Sequence, residues 1–180
     1  MLNKAIVILT SLFIVHLQAE SAFATDRDAV SVAMQFVNAA MIQGDIGQVE
    51  PLVKKGATRK RGKPGSLLGD LRREQKQIQN ANPLPELRLR EIYLVRDGEQ
   101  EHLKDRILRH MRQRGKNVTE EEADVPADVI AKAYGMTKDR TICMLFYERR
   151  RDANSVAVNL VLLALEEIDG KFLVAHVWDD

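Results

Sequence analysis

The stretch from Asp139 to Asp180 constrains the fold more than any other, because it reads as three consecutive strands of one antiparallel sheet. Between Arg140 and Glu148, Ile142, Met144 and Phe146 fall on one face and Cys143, Leu145 and Tyr147 on the other, so both faces are apolar. A short polar turn, Arg150 to Asn154, leads into Ser155 to Ile168. There Val156, Val158, Leu160 and Leu162 alternate with Val161, Leu163 and Leu165, and Leu160 to Leu163 has no polar break. A strand apolar on both faces is either covered on both sides or bent at a bulge that exchanges its buried face. At about 3.3 Å per residue such a strand spans roughly 46 Å, too long to stay flat in a small domain, so a curved sheet is expected. Asp169-Gly170 supplies the pair a type I′ hairpin needs, since both central positions take positive φ. The chain then returns as Lys171 to Trp178.

The other end is an export signal in form. Lys4 is followed by an apolar run from Ala5 to Val15, and Ala22-Phe23-Ala24 offers small residues at the two positions read by signal peptidase. The run stops at His16, short of the roughly twenty residues of a membrane span. The expectation is a signal peptide, residues 1–24, and one α+β domain, residues 25–180, released into a bacterial periplasm or secreted, with no stable membrane insertion after cleavage. The single cysteine, Cys143, cannot form an internal disulfide in an oxidising compartment, so stability must come from packing. Its place between Ile142 and Met144 suits a buried, inert thiol. Cleavage removes Lys4 and Glu20 together and leaves the formal net charge of +1, which gives no global attraction to nucleic acid.

Asp26 can cap a first helix whose Val30, Ala33, Met34, Val37, Met41 and Ile42 form one apolar stripe, ended by Gly44. Asp45 caps a shorter helix carrying Ile46, Val49, Leu52 and Val53, which runs to Gly56 and is bent or interrupted at Pro51. From Lys54 to Lys63 the composition reads as a loop, with six basic residues (Lys54, Lys55, Arg59, Lys60, Arg61, Lys63), no acidic one, and Gly56, Gly62, Pro64 and Gly65 as breakers. Two readings stand for it: a surface for an anion or an acidic partner, or a solvated connector. It is no phosphate loop, because five residues separate Gly56 from Gly62 and Pro64 follows Lys63.

Ser66 to Asn80 predicts a third helix, broken by Asn82-Pro83-Leu84-Pro85. Leu87 to Arg96 predicts a strand with Leu87, Leu89, Glu91, Tyr93 and Val95 on one face, closed by Asp97-Gly98. Glu99 to Arg114 is amphipathic, with Leu103, Ile107, Leu108 and Met111 inward, a basic outer surface from Arg106 to Lys116, and Gly115 as the stop. Thr119-Glu120-Glu121-Glu122 has capping-box form, and Pro126 to Tyr134 makes a short helix. Residues 99–138 thus form a helical insertion between the strand at 87–96 and the C-terminal strands.

The first helix with Gln43-Gly44-Asp45, together with Ile168-Asp169-Gly170-Lys171-Phe172-Leu173-Val174 and Trp178, resembles the nuclear transport factor 2-like (cystatin-like) superfamily. That resemblance implies an α+β cone: a curved antiparallel sheet of about four strands wrapped over N-terminal helices, with a pocket at the open end. The superfamily includes isomerases, cyclases and dehydratases, and also many pockets with no known reaction and purely structural subunits, so fold alone assigns no activity.

Residues on inward strand faces are the pocket candidates: Glu91 and Tyr93, and, with Phe172 and Val174, His176 and Trp178. A carboxylate among apolar neighbours could act as a base with Tyr93 as a hydrogen-bond donor; equally, Glu91 pairs with an Arg, Tyr93 is core, and His176 is a satisfied core histidine. No metal or other cofactor is called for. Glu99-Gln100-Glu101-His102 is a single Glu-x-x-His, and His102 and His110 stand about 12 Å apart along one helix. No motif is specific for a reaction. The preferred expectation is an exported, non-enzymatic binding module for a small ligand or a partner protein, with a homodimer through the sheet face as an option. The alternatives are a small pocket isomerase or hydrolase, or an immunity protein or inhibitor for a secreted toxin.

Overall fold

The computed structural model describes residues 26–59, 66–80, 87–134, 140–150 and 156–179. The proposed signal segment, the break at 82–85 and the polar turn before Ser155 lie outside these residues. The first helix, α1, covers residues 26–37 and ends in a π-helical turn, Asn38–Gln43, that Gly44 closes at φ 61°. Its buried stripe is Ala29, Ala33, Phe36, Val37 and Ala40, which keeps Ala33 and Val37 of the expected one. This is rotated slightly from the expected one, leaving Met34 and Met41 partly buried at its flank.

Asp45 caps α2, Ile46–Val49, by accepting from the backbone N–H of Gln48 at 3.2 Å. The helix ends sooner than its apolar spacing suggests. Pro51 lacks an N–H and sits in a 3₁₀ turn, Glu50–Leu52, after which the chain straightens into β1, Val53–Arg59. The basic stretch is therefore not a loop over Lys54, Lys55 and Arg59: these residues belong to a fifth strand, while Lys60, Arg61 and Lys63 lie outside the described residues. Next come α3 (Ser66–Gln79), β2 (Leu87–Val95), α4 (Gln100–Gln113), α5 (Glu120–Asp124), α6 (Ala127–Ala133), β3 (Arg140–Arg150), β4 (Val156–Ile168) and β5 (Lys171–Asp179). The capping box at α5 is present, with Thr119 and Glu122 each satisfying the other's backbone N–H. Between β4 and β5, Asp169 and Gly170 both take positive φ, 52° and 72°, as a type I′ hairpin requires.

The strands form one curved, unclosed sheet in the order β1-β5-β4-β3-β2. β1 joins β5 in parallel; every other pairing is antiparallel. The expected α+β class holds, with one more strand than the four expected.

Both faces of β3 and β4 are buried, which accounts for their unbroken apolar runs. Cys143, Leu145, Tyr147, Val161, Leu163 and Leu165 pack under α1, α2 and α3. Ile142, Met144, Phe146, Leu160, Leu162 and Ala164 pack under α4 and α6 with Leu103, Ile107 and Ala131. The described part of the insertion, residues 99–134, thus supplies through α4 and α6 a second layer of the core, covering the sheet face opposite the N-terminal helices. Among the described residues, no helix is long and apolar enough to cross a membrane.

Candidate functional site

Two bulges in the outer strands decide which side chains meet. In β2, Leu89 stands opposite Tyr147 and Glu91 opposite Phe146, so Arg90 is an extra residue with no partner across the ladder. In β5, Val174 stands opposite Leu165 and His176 opposite Ala164, which makes Ala175 the extra one. Each insertion moves everything beyond it to the other face. Leu89, Phe172 and Val174 accordingly pack on the side of α1 and α3. Tyr93, Val95 and Trp178 pack on the side of α4 and α6. The expected face partners are corrected at those points: Leu89 does not share a face with Glu91, and Phe172 and Val174 do not share one with His176.

The four candidates reach the same side of the sheet without converging. Ladder partners place Tyr93, Met144, Leu162 and Trp178 in one row and Val95, Ile142, Ala164 and His176 in the next. Three strand spacings, about 14 Å in all, separate β2 from β5. Trp178 meets Tyr134, the residue that ends α6, edge-on, with centroids 5.1 Å apart. His176 is buried, and its Nδ1 shares a 2.6 Å hydrogen bond with Thr58 Oγ1 of β1. Burial, reinforced by the nearby positive charge of Arg140, pushes its pKa below the ordinary imidazole value, so the ring is held neutral. That is the behaviour of a satisfied core histidine.

Glu91 and Tyr93 do open into a pocket, but between the sheet and α4 rather than between the sheet and the first helix. Its volume is about 340 Å³. β2 contributes Arg90, Glu91 and Tyr93; α4 contributes Arg106, Arg109, His110 and Gln113; Phe146 and Glu148 come from β3 and Val158 from β4. The aromatic wall is interlocked: Phe146 meets Tyr93 edge-on at 6.0 Å and His110 at 5.4 Å between centroids. The Arg106 guanidinium lies over the Tyr93 ring, its carbon 3.2 Å from the centroid.

The polar groups of the rim are tied to one another. Tyr93 donates its hydroxyl to Glu91 Oε2, and Arg90 donates to Glu148 Oε1. The Arg90 hydrogen bond and charge hold the Glu148 carboxyl below the usual carboxylate range.

His110 was not among the expected pocket residues. Leu103, Ile107 and His110 follow the i, i+4, i+7 spacing of a buried helical stripe, so the spacing that placed the two apolar residues inward would have placed the histidine with them.

Of the three basic residues of this stretch that are described, Lys54 and Arg59 are used within the fold. Lys54 donates to Glu166, as does Arg140 at 2.7 Å. Burial opposes ionisation of Glu166, but the hydrogen bonds and charges of Lys54 and Arg140 together outweigh it and hold the carboxyl below its usual range. Arg59 binds Asp179 and Glu74, while Lys55 is exposed. Among the described residues, no group of three or more His, Cys, Asp or Glu stands together as a metal site would require.

No family model matches the chain, and no curated protein sequence matches it. Among solved structures, the chain is similar to an NTF-2 like protein of unknown function from Shewanella oneidensis, at 13% identity and TM-score 0.44, over 86% of this chain and 97% of that one. It is also similar to an NTF2-like protein of unknown function from Shewanella baltica, at 10% identity and TM-score 0.42, over 90% of this chain and 94% of that one.

Proposed function

We propose that this protein is an exported, non-catalytic binding module whose ligand site is the pocket between α4 and strands β2, β3 and β4. The observation that carries the reading is the pocket's construction, an interlocked aromatic wall of Tyr93, Phe146 and His110 under a rim of charged groups. A concave site in which several polar groups converge over an aromatic wall is a form small-molecule sites take, and here the charged groups outnumber the apolar ones. The volume stands at the small end of the usual range, which fits a compact ligand rather than a cofactor.

A binding role is favoured over an enzymatic one by the state of the two carboxylates. Glu91 is already engaged as acceptor of the Tyr93 hydroxyl, and the Arg90 hydrogen bond and charge hold Glu148 below the usual carboxylate range, which makes it a weak base at neutral pH. Support for export comes from the sequence of residues 1–24.

The test is a thermal-shift screen of small organic fragments against the wild-type protein and two pocket-filling variants, Val158→Trp in the wall and Gln113→Trp on the helix rim. Fragments that raise the melting temperature of the wild type, and do so in neither variant, support the site. Stabilisation that survives in both variants, or turnover of a fragment by the wild type, overturns the reading.

A further inference from the structure

We infer that the pocket under α4 selects a compact organic monoanion, one carboxylate on a flat apolar body. The inference deepens the binding-module reading and rests on it. Arg106 and Arg109 stand three positions apart on α4, which puts both side chains over the same stretch of sheet. Arg106 is held by stacking on Tyr93, and stacking occupies the face of a guanidinium while leaving its N–H edge available. That edge is the planar fork that matches a carboxylate, and its side-chain entropy is largely lost before any ligand arrives.

Charge balance decides between one negative charge and two. The pocket is lined by three guanidinium groups and two carboxylates. Arg90 and Glu148 neutralise each other, which leaves Arg106 and Arg109 facing the single carboxylate of Glu91. One positive charge in excess suits a monoanion, and Glu91 penalises the second charge of a phosphate monoester. The flat body follows from the wall, since Phe146 and Val158 offer only apolar surface.

Isothermal titration calorimetry of the purified protein with benzoate, phenyl phosphate and benzamide tests the inference, in wild type and in Arg106→Gln and Arg109→Gln. Benzoate is expected to bind at least ten-fold more tightly than either benzamide or phenyl phosphate. The preference should fall as salt rises and drop at least ten-fold in Arg106→Gln. Benzamide binding as tightly as benzoate, with Val158→Trp abolishing both, would overturn the charge selection and leave the pocket standing. Phenyl phosphate binding more tightly than benzoate overturns the choice of a monoanion. Binding of none of the three probes overturns this inference, whereas the pocket reading falls only if the fragment screen also finds nothing that the filling variants abolish.

Discussion

Arg59 Nε donates to Asp179 Oδ1 at 3.0 Å, fastening the last residue of β1 to the last of β5. The same guanidinium donates to Glu74 of α3 at 2.6 Å, so one mostly buried cation ties edge strand, neighbouring strand and covering helix. These charge-assisted bonds raise the Arg59 pKa, with the bond to Asp179 the largest cause. Expected destabilisation by Arg59→Ala is about 2 kcal/mol, the range for hydrogen bonds to charged groups. Lys55→Ala, which removes an exposed side chain from the same strand, should stay within about 0.5 kcal/mol. Urea denaturation of both variants checks the contrast, and equal midpoints would show that Arg59 is no more than a surface charge.

His176 gives the fold a pH dependence of definite sign. Its folded-state pKa lies below the ordinary value of 6.5, so the unfolded chain binds the proton more readily than the folded one. The stability it contributes is complete above about pH 6.5 and is lost progressively as pH falls toward the depressed folded value. Glu166, with a lowered carboxyl pKa, loses its contribution only below the usual carboxylate range, which separates the two effects. Melting temperatures measured between about pH 7.5 and pH 5.5 should fall for the wild type and fall less for His176→Gln. Parallel profiles for the two proteins would contradict the assignment.

Cys143 is fully buried, and burial pushes its thiol pKa up to about 12. A thiol reagent at neutral pH should label it only after denaturation, because both access and thiolate are lacking in the folded state. Prompt stoichiometric labelling of the native protein contradicts the packing of β3.

Gly44 ends the first helix in the left-handed region, and a Cβ there would stand 3.2 Å from both the Gln75 carbonyl oxygen and the Ile78 Cβ. Gly98 also has positive φ, at 91°, but a Cβ there meets nothing within 4 Å. Both Ala substitutions incur the backbone cost, about 1–2 kcal/mol. Only Gly44→Ala adds a clash with α3. Chemical denaturation should therefore show Gly44→Ala to be the less stable variant, and the reverse order would mean that α1 and α3 do not approach as described.

The C-terminal strands were legible because β3 and β4 are central and their periodicity is enforced by burial on both faces. β1 was not, since Val53-Lys54-Lys55-Gly56-Ala57-Thr58-Arg59 contains only two apolar side chains and owes its strand conformation to pairing with β5 and to the ion pairs of Lys54 and Arg59. The bulges were equally silent. Neither Arg90 nor Ala175 is a residue that marks a bulge, so the alternation ran through them unbroken and assigned Leu89, Phe172 and Val174 to the wrong side. Of the site, Glu91 and Tyr93 could be named from strand parity. The helical spacing of His110 marks it as inward-facing, but that it and the two arginines of α4 meet Glu91 and Tyr93 in one pocket depends on the insertion folding back over the sheet, a tertiary relationship that local pattern does not encode.

The side of the sheet that holds the ligand distinguishes this pocket from one under the first helix. The direct measurement is a crystal structure of the protein soaked with the fragments that raise its melting temperature. Density is predicted between α4 and strands β2, β3 and β4, against Phe146 and within reach of Arg106. Density instead between the sheet and α1 beside Phe36, or at the Thr58–His176 pair, would contradict it.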